Sequence, residues 1–203
     1  MSFCLHAGLQ VDETLALLLR LLCKAQRDSQ TLSSDVSIPL YSVVPTVASG
    51  NIDPLIRHQA FRVLSLLVAC SDPQVTFQNL LELCNRSQFP QMRVAAVGLV
   101  KEAILKALSK SPEAAKADPF VGSTFMRGFG PVLFRSNAPD LLEKPNLTLK
   151  EFRETPEPSR LTECLSLYYV ILQRDERNRV RNFCLAYIFG LTRHRLASAT
   201  RMC

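Results

Sequence analysis

Tryptophan is absent from this chain, and glycine is scarce, with 7 among 203 residues. With a hydrophobic fraction of 47%, so little glycine excludes a disordered protein. Long apolar runs are missing as well. The best, Leu15 to Cys23, is interrupted by Arg20 and falls far short of the ~20 residues a membrane-spanning helix needs. Ahead of that run stand Asp12 and Glu13 rather than a basic region, so no secretory leader is expected there. These absences predict a soluble intracellular protein, cytoplasmic or nuclear, with no membrane partner.

The motifs of chemistry are missing too. No G-x-S-x-G, P-loop or dinucleotide fingerprint occurs. Gly128-Phe129-Gly130-Pro131 lacks a third glycine and a preceding strand. His6, His58 and His194 are far apart, and none stands at ligand spacing from a second His or a carboxylate. The 7 cysteines (Cys4, Cys23, Cys70, Cys84, Cys164, Cys184, Cys203) are odd in number and form no C-x-x-C. Most lie in apolar runs and read as core residues. Cys203, and after it Cys4, are the thiols expected to react. The sequons at Asn85 and Asn146 are chance matches without a secretory signal. The expectation is a chain with no catalytic residues, no metal site and no cofactor, hence not an enzyme.

What is present is helical periodicity. Leu15, Leu18, Leu19 and Leu22 mark a helix over about 13–27 with Asp12 as its N-cap, followed by a polar loop from Asp28 to Ser37. Three Asp-Pro pairs, Asp53-Pro54, Asp72-Pro73 and Asp118-Pro119, mark helix starts. Asp offers a capping oxygen, and Pro suits a first turn that needs no N–H.

The sequence also repeats. Slid by 36 positions, residues 38–70 meet 74–106: Tyr41 falls on Phe77, Val44 on Leu80, Val47 on Leu83, Pro54 on Pro90, Arg57 on Arg93, Ala60 on Ala96, Val63 on Leu99 and Leu64 on Val100. This is a two-helix unit of helical-solenoid length. A degenerate third copy aligns Arg181 with Arg57 and Arg93, and Leu165 with Tyr41 and Phe77. Its first helix, about 156–174, is expected to bury Leu161, Leu165, Tyr168, Tyr169 and Leu172. Its second runs over about 178–197.

The expected fold is all-α, a HEAT/ARM-like stack of helical hairpins in one domain, with repeats at 38–72, 73–110 and 156–198. An irregular insert spans 112–155. There a helix from about 118 carries Val121, Phe125, Phe129, Val132 and Leu133 on one face, kinked or broken at Gly128, Gly130 and Pro131. The expected core includes Leu64, Leu67, Leu80, Leu83, Val100, Leu165, Tyr168, Ile171, Tyr187 and Ile188. The shared arginines are expected to order the stack through hydrogen bonds to loop carbonyls or an Asp. An irregular helical domain is the alternative.

The net charge of +6 is uneven: eight of the 24 Lys/Arg but only three of the 18 acids lie in residues 160–203. Arg177, Arg179, Arg193 and Arg195 could form the polar outer face of a closing helix while Phe183, Tyr187, Ile188 and Leu191 point inward. They are the candidate partner-binding residues, accessible to an acidic segment. A basic helical-repeat nucleic-acid binder is the alternative. It is disfavoured by the modest charge and by the lack of interleaved aromatics.

Two stretches carry a resemblance: Asp118-Pro-Phe-Val-Gly-Ser-Thr-Phe-Met-Arg-Gly-Phe-Gly-Pro-Val-Leu-Phe-Arg135, and Glu157-Pro-Ser-Arg-Leu-Thr-Glu-Cys-Leu-Ser-Leu-Tyr-Tyr-Val-Ile-Leu-Gln-Arg-Asp175. Together they resemble the fungal branch of the Yap-binding/glomulin family of α-helical repeat proteins. Members are usually several times longer, so the chain looks like a C-terminal portion or a short paralogue. The resemblance implies a non-catalytic scaffold with a protein partner. One branch binds an AP-1-like transcription factor in the oxidative stress response. Another caps the RING subunit of cullin ubiquitin ligases. No partner-contacting residue of the family is matched here.

Overall fold

A computed structural model describes residues 10–133, 148–176 and 180. Among the described residues there are helices and no strands: α1 (Val11–Arg27), α2 (Ser34–Gly50), α3 (Pro54–Cys70), α4 (Pro73–Arg86), α5 (Pro90–Leu108), α6 (Pro112–Lys116), α7 (Ser123–Leu133), α8 (Leu149–Glu154) and α9 (Glu157–Arg174). The fold class is all-α. Two compact units divide the chain between Leu99 and Val100, a point inside α5.

In the first unit α1 and α2 both pack on α3. Helix α1 buries Leu15, Leu18 and Leu22, as its spacing requires. Its N-cap is Gln10, in the left-handed region at φ 47. Asp12 therefore sits inside the first turn, not at the cap. Helix α2 begins at Ser34, earlier than the polar composition suggests, and carries Pro39 and Pro45 within it. The loop ahead of α2 is not wholly free, because the Leu32 N–H donates to the Cys70 carbonyl at 2.9 Å.

The Asp-Pro pairs behave as capping chemistry requires in two cases. Asp53 Oδ1 accepts the Leu55 N–H at 2.8 Å, and Asp72 Oδ1 accepts those of Gln74 and Val75 at 2.8 and 3.3 Å. The third differs. Asp118 is buried, takes the Phe120 N–H at 3.0 Å and pairs with Lys110 Nζ at 2.6 Å. It makes a turn, and the helix waits until Ser123, beyond Gly122 at φ +89.

Burial reproduces the internal repeat position by position. Tyr41 and Phe77 are both buried, as are Val44 and Leu80, Ala60 and Ala96, Val63 and Leu99, and Leu64 and Val100. Val47 and Leu83 are both half-buried, so Leu83 belongs to the margin of the core and not to its centre.

In the second unit α7 buries Phe125, Phe129, Val132 and Leu133, with the Phe125 and Phe129 rings 5.3 Å apart. Val121 is half-buried. The helix is not ended at Gly128 or Gly130, and it includes Pro131. The short α8 opens with a capping box between Thr148 and Glu151.

Helix α9 has the expected extent, and Cys164 and Ile171 are buried as expected, but most of the face expected inside is not. Its buried residues are Arg160, Cys164, Leu167 and Ile171. Leu165 is 67% exposed, Tyr169 63% and Leu172 37%, while Leu161 and Tyr168 are half-buried. Moving the alignment by one residue, so that Cys164 and Leu167 take the places of Tyr41 and Val44, restores the burial pattern. One residue turns a helix by about 100°. The error has a physical source: the inward face holds an arginine, which apolar periodicity assigns to solvent. Tyr187, Ile188 and the helix expected over 178–197 lie outside the described residues.

Candidate functional site

The exposed turn between α2 and α3 is held by a set of side-chain hydrogen bonds. Asn51 Oδ1 accepts the Asp53 N–H at 2.9 Å, and Asp53 in turn caps α3. Arg57, one turn into α3, reaches back and donates through Nη1 to the carbonyls of Asn51 and Ile52 at 2.8 and 2.9 Å. The loop-carbonyl acceptors expected for the shared arginine position are met at Arg57, but they lie in its own turn, so the bonds shape the loop and do not link one repeat to the next. Carbonyls at a helix entry are acceptors in need of donors, and a planar guanidinium serves two at once.

That clamp holds two apolar side chains in water. Ile52 is 95% exposed and Leu55 71%. The second copy differs at both positions: a 36-residue shift places Gln88 and Gln91 there, and both are exposed. Its Phe89 approaches the first turn closely, since a Cβ on Gly50 would lie 3.4 Å from the Phe89 ring. Beyond Leu55 the outer side of α3 carries His58 and Arg62, both exposed, and α3 contains no acidic residue. Leu55, His58 and Arg62 stand at i, i+3 and i+7, one helix face.

In the second unit Arg160 is only 6% exposed. Its guanidinium bonds the Glu157 carboxylate at 2.8 and 2.9 Å through Nη2 and Nε. Nη1 donates to the Val132 carbonyl, in the last turn of α7, at 3.3 Å, and lies 3.9 Å from Cys164 Sγ. A buried cation is tolerated because every side of it meets an acceptor. Burial pushes the Cys164 thiol up to about 11. A protonated, enclosed thiol is a poor nucleophile. Cys70 and Cys84 are likewise buried, and Cys23 is half-buried. The Asp175 carboxylate, 1% exposed, accepts the Val180 N–H at 2.6 Å.

The four arginines singled out from sequence, Arg177, Arg179, Arg193 and Arg195, lie outside the described residues, as do Cys4, Cys184 and Cys203. Sequence reasoning missed Arg160, the exposed α9 face and the Ile52–Leu55 pair. The pair had a readable signal, because an apolar residue stands at both positions where the second copy is polar. Among the described residues no group of three His, Cys, Asp or Glu could hold a metal ion. No described helix is long and apolar enough to cross a membrane.

The motif that opens α9, Glu157-Pro-Ser-Arg-Leu161, therefore has a structural meaning: the Arg is the buried strut to α7 and the Glu is its counter-ion. No curated protein and no solved structure matches the chain. A family model described as an uncharacterised protein family, YAP/Alf4/glomulin, matches residues 10–188. That span takes in both units and both stretches that carried the resemblance, and the chain belongs to the YAP/Alf4/glomulin family.

Proposed function

We propose that this chain is a non-catalytic protein-binding scaffold acting in the cytoplasm or nucleus. Family membership over residues 10–188 carries the reading. Apolar side chains held in water, on the α2–α3 turn and on the outer face of α9, support it, since clustered exposed apolar groups mark interaction surfaces. The family points to two partner classes: an AP-1-like transcription factor of the oxidative stress response, or the RING or cullin part of a ubiquitin ligase. The basic end supplies a second surface in this proposal, with Arg177, Arg179, Arg193 and Arg195 meeting an acidic partner.

Affinity capture with mass spectrometry, at low and high salt, tests it. Recovery of a transcription factor or ligase subunit that persists in high salt supports the scaffold. Recovery of nucleic acid alone, lost steeply as salt rises, would favour the nucleic-acid alternative. Reversing Arg193 and Arg195 to Glu is expected to leave stability within about 0.5 kcal/mol while slowing association with the captured partner. Unfolding of that variant would make both residues structural.

A further inference from the structure

We infer that the α2–α3 turn and the adjoining face of α3 form a docking site for an acidic amphipathic segment of a partner protein. The inference rests on the scaffold reading and locates one of its surfaces. Three observations converge. Ile52 and Leu55 are 95% and 71% exposed on a turn fixed by hydrogen bonds from Arg57 and within Asn51–Leu55. An apolar anchor on a rigid turn loses little freedom when a partner covers it, so more of its burial appears as affinity. The repeat supplies an internal control: the equivalent positions in the second copy are Gln88 and Gln91, so the architecture does not need apolar residues here.

Charge then selects the occupant. Helix α3 carries Arg57, His58 and Arg62 and no acid. Arg57 spends its Nη1 donors on loop carbonyls, and no carboxylate among the described residues is within ion-pair reach of Arg57 or Arg62. Running from Ile52 and Leu55, with the exposed carboxylate of Asp53 between them engaged in capping α3, toward Arg62, the surface passes from apolar to positively charged. Its complement is a segment with an apolar anchor followed by carboxylates, in the helix-on-groove or extended mode. A basic segment would meet like charge, and a purely apolar one would leave the arginine side unmatched.

The probe is a fluorescein-labelled peptide of about 16 residues with Leu at helical spacing and Glu between, beside its counterpart with Lys in place of Glu. Anisotropy is read against the full chain, against Ile52→Gln/Leu55→Gln, which installs the second copy's residues, and against Arg62→Glu. Circular dichroism melts report folding. The acidic peptide should bind the unaltered chain. The double variant should weaken it about ten-fold or more, as loss of a central apolar anchor does. Arg62→Glu should weaken it about three-fold at low salt and less at high salt. The Lys peptide should not bind. Equal binding of the acidic peptide to the double variant, equal binding of both peptides, or no binding of the acidic peptide to the unaltered chain would each overturn the inference. None of these results touches capture of a partner by the whole protein, so the scaffold reading fails or stands separately.

Discussion

Arg57 and Arg160 are each the fourth residue of their helices, α3 and α9, and they use the same guanidinium in opposite ways. Arg57 is half-buried and, among the described residues, bonds within its own turn, to carbonyls five and six residues away. Arg160 is buried, ion-paired to Glu157, and bonded across 28 residues to Val132. The first is a local staple that shapes a loop. The second ties two helices together from the inward face of α9. A shared position in a helix therefore does not fix a shared role: what surrounds the side chain decides whether its charge stays near water or must be matched inside.

The largest expected effect tests the strut. Arg160→Ala leaves the Glu157 carboxylate half-sheltered and the Val132 carbonyl without its donor, and should cost about 3–5 kcal/mol in urea unfolding. Adding Glu157→Gln to Arg160→Met should recover most of that loss, because the apolar stem then fills the space and no charge is stranded. A loss under about 1 kcal/mol for Arg160→Ala would reduce Arg160 to a surface ion pair and erase the contrast with Arg57.

Next comes the face on which the strut lies. Leu167→Ala, at a fully buried position, should cost about 2–5 kcal/mol. Leu165→Ala, at an exposed one, should stay within about 0.5 kcal/mol. The reverse order would return α9 to the rotation that its apolar stripe suggests.

The thiol beside Arg160 gives a pH signature. Because burial raises Cys164 from 9.0 to about 11, the folded chain keeps this proton when the unfolded chain has lost it. Its stabilising preference is complete below pH 9 and is lost between about pH 9 and 11, at most roughly 2–3 kcal/mol. Urea melts across that range should fall more steeply for the unaltered chain than for Cys164→Ala. Equal slopes, or fast thiol labelling of Cys164 at neutral pH, would place the group in solvent.

The smallest effect belongs to the staple. Arg57→Ala removes two half-exposed hydrogen bonds and should cost about 1 kcal/mol. Its clearer trace should be local, as faster amide exchange at Asp53 and Leu55, whose N–H groups depend on the ordered turn. Exchange rates unchanged there would show that the Asn51 and Asp53 side chains hold the turn unaided.

Sequence alone determined the all-α class, nearly every helix, the capping at Asp53 and Asp72, and the paired burial of the first two repeat copies. Those features are local or periodic: an Asp ahead of a Pro caps whatever helix follows, and an apolar residue every third or fourth place buries one face. The same reasoning found the carbonyl acceptors of Arg57 but assigned them to the ordering of the stack, whereas they lie within its own turn. It could not find the third Asp-Pro turn, where Lys110 and a left-handed Gly122 hold Asp118 away from a helix start. Nor could it turn α9 correctly. The outer stripe of Leu161, Leu165, Tyr169 and Leu172 is the more apolar one, so hydrophobic periodicity places it inside. Tertiary structure decides otherwise, because a carbonyl of α7 and the Glu157 carboxylate satisfy a buried guanidinium that no property of α9 alone would place in the core.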